Sequence, residues 1–163
     1  AGFEDVDDEP DIVVVAFDTG LTYARLCRTG YWIAAGKPFI ATHPDVICPT
    51  DEETLLVDCG AICSCLTTAT LRLPDRILGK PNPEMLRHIA QKHHVALEHV
   101  LMIGDRLQTD IALAANAGAM SCKVVNPKED GVYGTTLALT PDLTVAHIGE
   151  LQVALQEARG DVC

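Results

Sequence analysis

Apolar runs of strand length alternate with amphipathic segments of helix length along the chain. Ile12 to Phe17 has no polar break and predicts a strand, closed by Asp18-Thr19-Gly20. Thr22 can cap a helix from Tyr23 to about Ala35, with Leu26, Trp32 and Ile33 among its apolar members and Gly36 at its end. Phe39-Ile40-Ala41 reads as a short strand, followed by His43-Pro44-Asp45 and a polar turn through Asp51-Glu52-Glu53. Gly60 to Thr70 predicts a second helix, so poor in charge that it must be well covered. Ile77-Leu78 then leads into Gly79-Lys80-Pro81. Pro83 suits the first turn of a helix running to about His94, with Met85, Leu86 and Ile89 on one face.

The most informative stretch is Val100-Leu101-Met102-Ile103-Gly104-Asp105-Arg106-Leu107-Gln108-Thr109-Asp110. Four consecutive apolar residues predict a strand buried on both faces, as in a parallel sheet. Gly104-Asp105 places a carboxylate where that strand ends. Thr109 can cap or open the next helix, and Asp110 falls in or near its first turn. Ligands of open parallel sheets bind at the strand C-termini, and two carboxylates so placed can converge on one hard cation such as Mg²⁺. Beyond it come a small-residue helix over Ile111–Ala119, a strand at Lys123-Val124-Val125, and a loop over residues 126–139. A short edge strand at Leu143–Ala146 and a closing helix over Ile148–Ala158 complete the chain. From Arg76 onward the alternation of strands and helices predicts a parallel sheet with crossover helices.

Charge narrows the function. The chain has 12 basic and 23 acidic residues, a net charge of −11, and six of the acids lie in its first eleven residues. That field excludes nucleic acid and anionic membranes as partners, and an anionic ligand would need a local cation or a metal. No apolar run approaches the length of about 18 residues that a membrane helix requires. The N-terminus lacks the pattern of a signal peptide, and a first residue other than Met reads as a processed or excised piece.

Seven cysteines include Cys59, Cys63 and Cys65, whose spacing misses that of zinc sites. They read as buried reduced thiols, which implies a cytoplasmic setting. His88, His93, His94 and His99 do not share a helix face and read as a solvated helix end.

Gly79-Lys80-Pro81-Asn82-Pro83-Glu84-Met85 and Gly104-Asp105-Arg106-Leu107-Gln108-Thr109-Asp110-Ile111 resemble motifs of the haloacid-dehalogenase (HAD) superfamily of phosphohydrolases. Together with Val13–Asp18 and Phe39–Asp45 they resemble its NagD-like, p-nitrophenylphosphatase branch, over almost the whole chain and in the expected order. The resemblance implies an α/β fold: residues 1–75 as the rear part of an α/β cap, and residues 76–163 as the C-terminal strands of a HAD-like Rossmannoid core. It also implies a Mg²⁺-dependent phosphatase acting on a small phosphorylated substrate. Lys80 would bind the phosphoryl group and steady a nucleophilic Asp. Asp105 would ligate Mg²⁺, and Asp110 would hold the metal's water shell or pair with Lys80. The loop carrying His43 and Asp45 would screen substrates, although the branch usually has Asn where His43 stands.

The branch's first motif, an apolar strand ending in Asp-x-Asp-Gly-Thr, and its Ser/Thr second motif are not matched. Asp5-Val6-Asp7 lacks the strand, and Phe17-Asp18-Thr19-Gly20 lacks the second Asp. Without that acid no side chain stands ready to protonate a leaving group, so the chain alone is expected to be inactive. It would also leave an unpaired edge beside Val100–Ile103, which allows homo-oligomers. The alternative is a non-catalytic Mg²⁺-binding or interaction domain resembling a phosphoacceptor receiver, but that would need an acid pair on its first strand where Asp18 stands alone.

Overall fold

A computed structural model describes residues 9–127 and 139–160. Most of the acidic lead-in, and the 126–139 loop from residue 128 to 138, lie outside the described residues. The chain divides into two compact units, up to Gly79 and from Lys80 onward.

The first unit contains β1 (Val13–Val15), α1 (Tyr23–Ala34), β2 (Phe39–Ala41), β3 (Ile47–Cys48), β4 (Leu56–Val57), α2 (Cys59–Thr70) and β5 (Arg76–Ile77). Strands β1, β2 and β5 form a parallel sheet in the order β1-β2-β5, and β3 and β4 form an antiparallel hairpin that the apolar pattern did not predict. Arg76–Ile77 therefore belongs to the first sheet, and the boundary falls after Gly79. Thr22 caps α1 as expected, its hydroxyl accepting from the Arg25 N–H at 3.2 Å.

Strand β1 is shorter than the expected Ile12–Phe17. Its partner β2 ends at Ala41, and the last rung is the Thr42 N–H donating to the Val15 carbonyl. Val13, Val15, Phe39 and Ala41 pack with Ile33, Cys59, Ile62 and Leu66 from the two helices. Val14, pointing the other way, is 46% exposed.

Cys59 and Cys63 are buried free thiols, as expected, whereas Cys65 is exposed because it lies on the outer face of α2. Burial pushes the Cys63 thiol up to about 12, helped by the Cys59 sulfur 4.0 Å away.

The second unit contains α3 (Glu84–His93), a 3₁₀ turn (Leu97–His99), β6 (Leu101–Gly104), a π turn (Leu107–Ile111), α4 (Ala112–Ala117), β7 (Met120–Val124), β8 (Leu143–Val145) and α5 (Ile148–Arg159). Its sheet is parallel, in the order β6-β7-β8, with Gly104 in register with Lys123. Met102 packs with Leu86, Leu113 and Ala117 on one face, and Leu101 with Cys122, Val145 and Leu151 on the other. Both faces of β6 are thus covered, as its composition predicts. Burial is nonetheless incomplete, since Ile103 is 39% exposed where β6 forms the edge of the described sheet.

Two further expectations need correction. In α3 the buried residues are Leu86 and Ala90, while Met85 and Ile89 are exposed, because the i, i+4 pair faces α4. Thr109 caps nothing. It lies inside the π turn, and its buried hydroxyl has no hydrogen-bond partner among the described residues. His88, His93, His94 and His99 are exposed, in keeping with a solvated helix end. No helix among the described residues is long and apolar enough to cross a membrane.

The N-terminus of α2 depends on Gly60, because a Cβ there would overlap the Pro44 carbonyl oxygen. Gly60→Ala is predicted to lower stability by about 1–3 kcal/mol, as overpacking does. This should exceed the gain of up to about 1 kcal/mol that alanine's helix propensity would bring. Thermal unfolding of the variant checks this, and an unchanged or raised midpoint would contradict it.

Candidate active site

Lys80, Asp105 and Asp110 all belong to the second unit, around the C-terminal end of β6. The strand ends at Gly104, so Asp105 is the first residue past the sheet, and the π turn carries Asp110 back towards it. The return is tight: a Cβ on Gly104 would overlap the Asp110 side chain. Glycine is required at this position for that approach.

Asp110 is almost wholly buried, its side chain only 5% exposed. Burying a lone carboxylate is costly, and here both oxygens are engaged. Oδ1 accepts from Lys80 Nζ at 2.6 Å, and Oδ2 accepts from the Arg106 N–H at 3.2 Å. Of the two alternatives expected for Asp110, the geometry has the pairing with Lys80. Lys80 enters through a cis Lys80–Pro81 peptide, and the Pro81 carbonyl accepts from Asn116 Nδ2 of α4 at 3.0 Å. The Lys80 side chain as a whole is still 40% exposed, so the pair is buried on its Asp110 side and reached by solvent on its lysine side.

Asp105 is held differently. Asn126, two residues past the end of β7, donates from Nδ2 to Asp105 Oδ2 at 2.7 Å. Asp105 Oδ1 has no hydrogen-bond or ion-pair partner among the described residues, while each of the other three oxygens of Asp105 and Asp110 carries a donor. A hard anionic oxygen left open at the sheet's ligand edge suits Mg²⁺. The described residues contain no cluster of three or more His, Cys, Asp or Glu able to enclose a metal, so this is one seat rather than a closed site.

His43 and Asp45 belong to the first unit. Both ring nitrogens of His43 are occupied: Nδ1 lies 2.8 Å from Thr42 Oγ1 and Nε2 lies 2.7 Å from Asp58 Oδ1. Buried Asp58 also caps α2, accepting from the Cys59 N–H at 2.6 Å. The loop is pinned to α2 again where the Gly60 N–H donates to the Asp45 carbonyl at 2.7 Å. The Asp45 carboxylate carries no hydrogen bond or ion pair among the described residues. Asp18, the single acid of the partial first-motif match, is engaged, with Oδ1 accepting from the Gly20 N–H at 2.8 Å and Oδ2 from Arg25 at 2.9 Å.

Asn126, Asn116 and Asp58 did not figure among the expected site residues. Position past a strand end could have flagged Asn126, and an Asp before an apolar helix could have flagged Asp58 as a cap. No sequence pattern signals Asn116, whose partner is 35 residues away.

A family profile described as HAD-hydrolase-like matches residues 77–151. The ribonucleotide monophosphatase NagD of Escherichia coli K12 is 32% identical over 126 residues, covering 77% of this chain and 48% of NagD. Among solved structures, a 4-nitrophenylphosphatase from Thermotoga maritima aligns with a TM-score of 0.84 at 38% identity, over 94% of this chain and 58% of its own. A glycerol phosphate phosphatase from Mycobacterium tuberculosis, in complex with magnesium, aligns with a TM-score of 0.76 at 31% identity, over 89% and 44% of the two chains. Residues 77–151 are thus of the HAD-like hydrolase family, and the chain as a whole is similar to NagD and to 4-nitrophenylphosphatase. It spans about half the length of the curated relatives it matches.

The Lys80–Asp110 pair has an asymmetric consequence. Lys80→Met leaves a buried carboxylate with one N–H partner, whereas Asp110→Asn leaves a cation that water already reaches. Lys80→Met is predicted to cost about 1–3 kcal/mol, less than the loss of a fully buried pair because Lys80 is partly solvated, and Asp110→Asn is predicted to cost less. Urea unfolding midpoints of the two variants test the order. The reverse order would contradict this geometry.

Proposed function

We propose that this chain carries the phosphate-binding and metal-holding half of a Mg²⁺-dependent phosphate monoester hydrolase. The observation that supports this best is the arrangement of Lys80, anchored on Asp110, beside Asp105 with one open oxygen at the end of a parallel strand. In this reading the second unit is the C-terminal part of the catalytic core and the first unit is the rear of a cap. Lys80 presents its ammonium to the phosphoryl oxygens and offsets their charge. Asp110 keeps that ammonium in place, so little reorganisation is needed when substrate arrives. Asp105 holds the cation, which when bound neutralises charge developing on the transferred group.

The loop of His43 and Asp45 screens the substrate. His43, bound at both nitrogens, sets the loop's shape, and Asp45 offers a carboxylate to a hydroxyl of a small phosphate ester. Relatives with names as different as ribonucleotide monophosphatase and 4-nitrophenylphosphatase fit a core that reads only the phosphate. The same reading has the chain inactive alone, since Asp18 is tied to Arg25 and no acid stands two residues after it. The exposed β6 edge favours association of chains at high concentration.

Two measurements test this. Inorganic phosphate added with Mg²⁺ should shift the backbone amide resonances of residues 104–110, and Lys80→Met should abolish the response. The purified chain should show no turnover of 4-nitrophenyl phosphate. An equal phosphate response in Lys80→Met would remove the assignment of Lys80, and turnover that vanishes in Asp18→Asn would make Asp18 the nucleophile.

A further inference from the structure

Asn126 lies two residues past β7, the neighbour of β6, and its side chain reaches Asp105 just past the end of β6. β6 and β7 run parallel with Gly104 opposite Lys123, so the residues just past both strand ends share one edge of the sheet. The orientation of the Asn126 amide follows from chemistry: a carboxylate oxygen only accepts, so the NH₂ group faces Asp105 Oδ2 at 2.7 Å. Held there, Asp105 cannot swing freely, and one of its two oxygens already carries a donor.

We propose that Asn126 is a positioning residue that makes the Asp105 seat selective for Mg²⁺ over larger divalent cations. The inference rests on the magnesium reading of Asp105 given above. Ca²⁺ binds at about 2.3–2.6 Å with six to eight oxygens and readily takes both oxygens of one carboxylate. Mg²⁺ binds at about 2.0–2.1 Å in a strict octahedron that retains several waters, and a single carboxylate oxygen suffices. With a donor already on Oδ2 and none on Oδ1, Oδ1 is the less contested oxygen, which suits the single-oxygen binding of the smaller ion and weakens the two-oxygen grip of the larger one. Asp110 compensates poorly, because Lys80 and the Arg106 N–H each place a donor on one of its oxygens.

The test is a pair of titrations, MgCl₂ and CaCl₂, into the ¹⁵N-labelled chain, read at the amide of Asp105. The variants are Asn126→Leu, similar in size but without a donor, Asn126→Ala, and Asp105→Asn; dispersed amide spectra establish that each is folded. Both Asn126 variants should shift the ratio of Mg²⁺ to Ca²⁺ affinity towards Ca²⁺ by about tenfold, the low end for loss of a group supporting a metal ligand. Asp105→Asn should lose the response to both ions. If Asp105→Asn loses Mg²⁺ while both Asn126 variants keep the wild-type ratio, the role of Asn126 is overturned and the magnesium reading stands. If wild type gives no Mg²⁺ response at Asp105, or Asp105→Asn binds Mg²⁺ as wild type does, the reading and this inference both fall.

Discussion

The second unit is arranged around a carboxylate that would be costly to bury alone. Asp110 sits almost out of reach of solvent, and the Lys80 ammonium and the Arg106 N–H are what offset the loss of water. Several otherwise unrelated features serve that pair. Gly104 has no side chain because Asp110 occupies the space, and the π turn brings Asp110 back against the strand end. Asn116 of α4 holds the Pro81 carbonyl, which fixes the turn from which Lys80 projects. With the Lys80 ammonium anchored on Asp110 and its side chain partly exposed, the unit holds a positive charge in place at the sheet's ligand edge in a chain whose net charge is strongly negative.

Much of this was legible in the residues. An unbroken apolar run ending in Gly-Asp signals a parallel strand with an acid at its tip, and β6 with Asp105 is that arrangement, although its burial is only partial. Gly-Lys-Pro-x-Pro announces a turn that delivers a lysine before a helix. Element ends were less legible because they depend on partners. β1 stops at Val15 since β2 offers no further rung, and Arg76–Ile77 joins the first sheet because its partner is Ile40-Ala41. Thr109 matches the composition of a cap, but the approach of Asp110 to Gly104 draws it into a π turn where its hydroxyl has nothing to cap. Contacts such as Asn126 to Asp105 arise from neighbouring strands, and the pattern of either strand alone does not encode them.

The two units show different ways of fixing a loop. In the second, charge pairing places individual side chains. In the first, the loop after β2 is fixed by His43 on Asp58, by the Asp45 carbonyl on the Gly60 N–H, and by the close seat of Pro44 on Gly60. Asp45 is left as the loop's carboxylate without a partner among the described residues, on a backbone that has little freedom to move. On the proposed function, the rigid loop with its acid would select ligands by shape and hydrogen bonding, and the anchored lysine beside the Asp105 carboxylate would respond to phosphate and cation.

On the proposed function two neighbouring acids divide the work, Asp110 holding the lysine and Asp105 the metal. A crystal structure of the chain grown with MgCl₂ tests it most directly. The account predicts a cation about 2.0–2.1 Å from Asp105 Oδ1, the distance Mg²⁺ demands, with Lys80 Nζ still on Asp110. A cation ligated directly by Asp110, with Lys80 displaced into solvent, would contradict it.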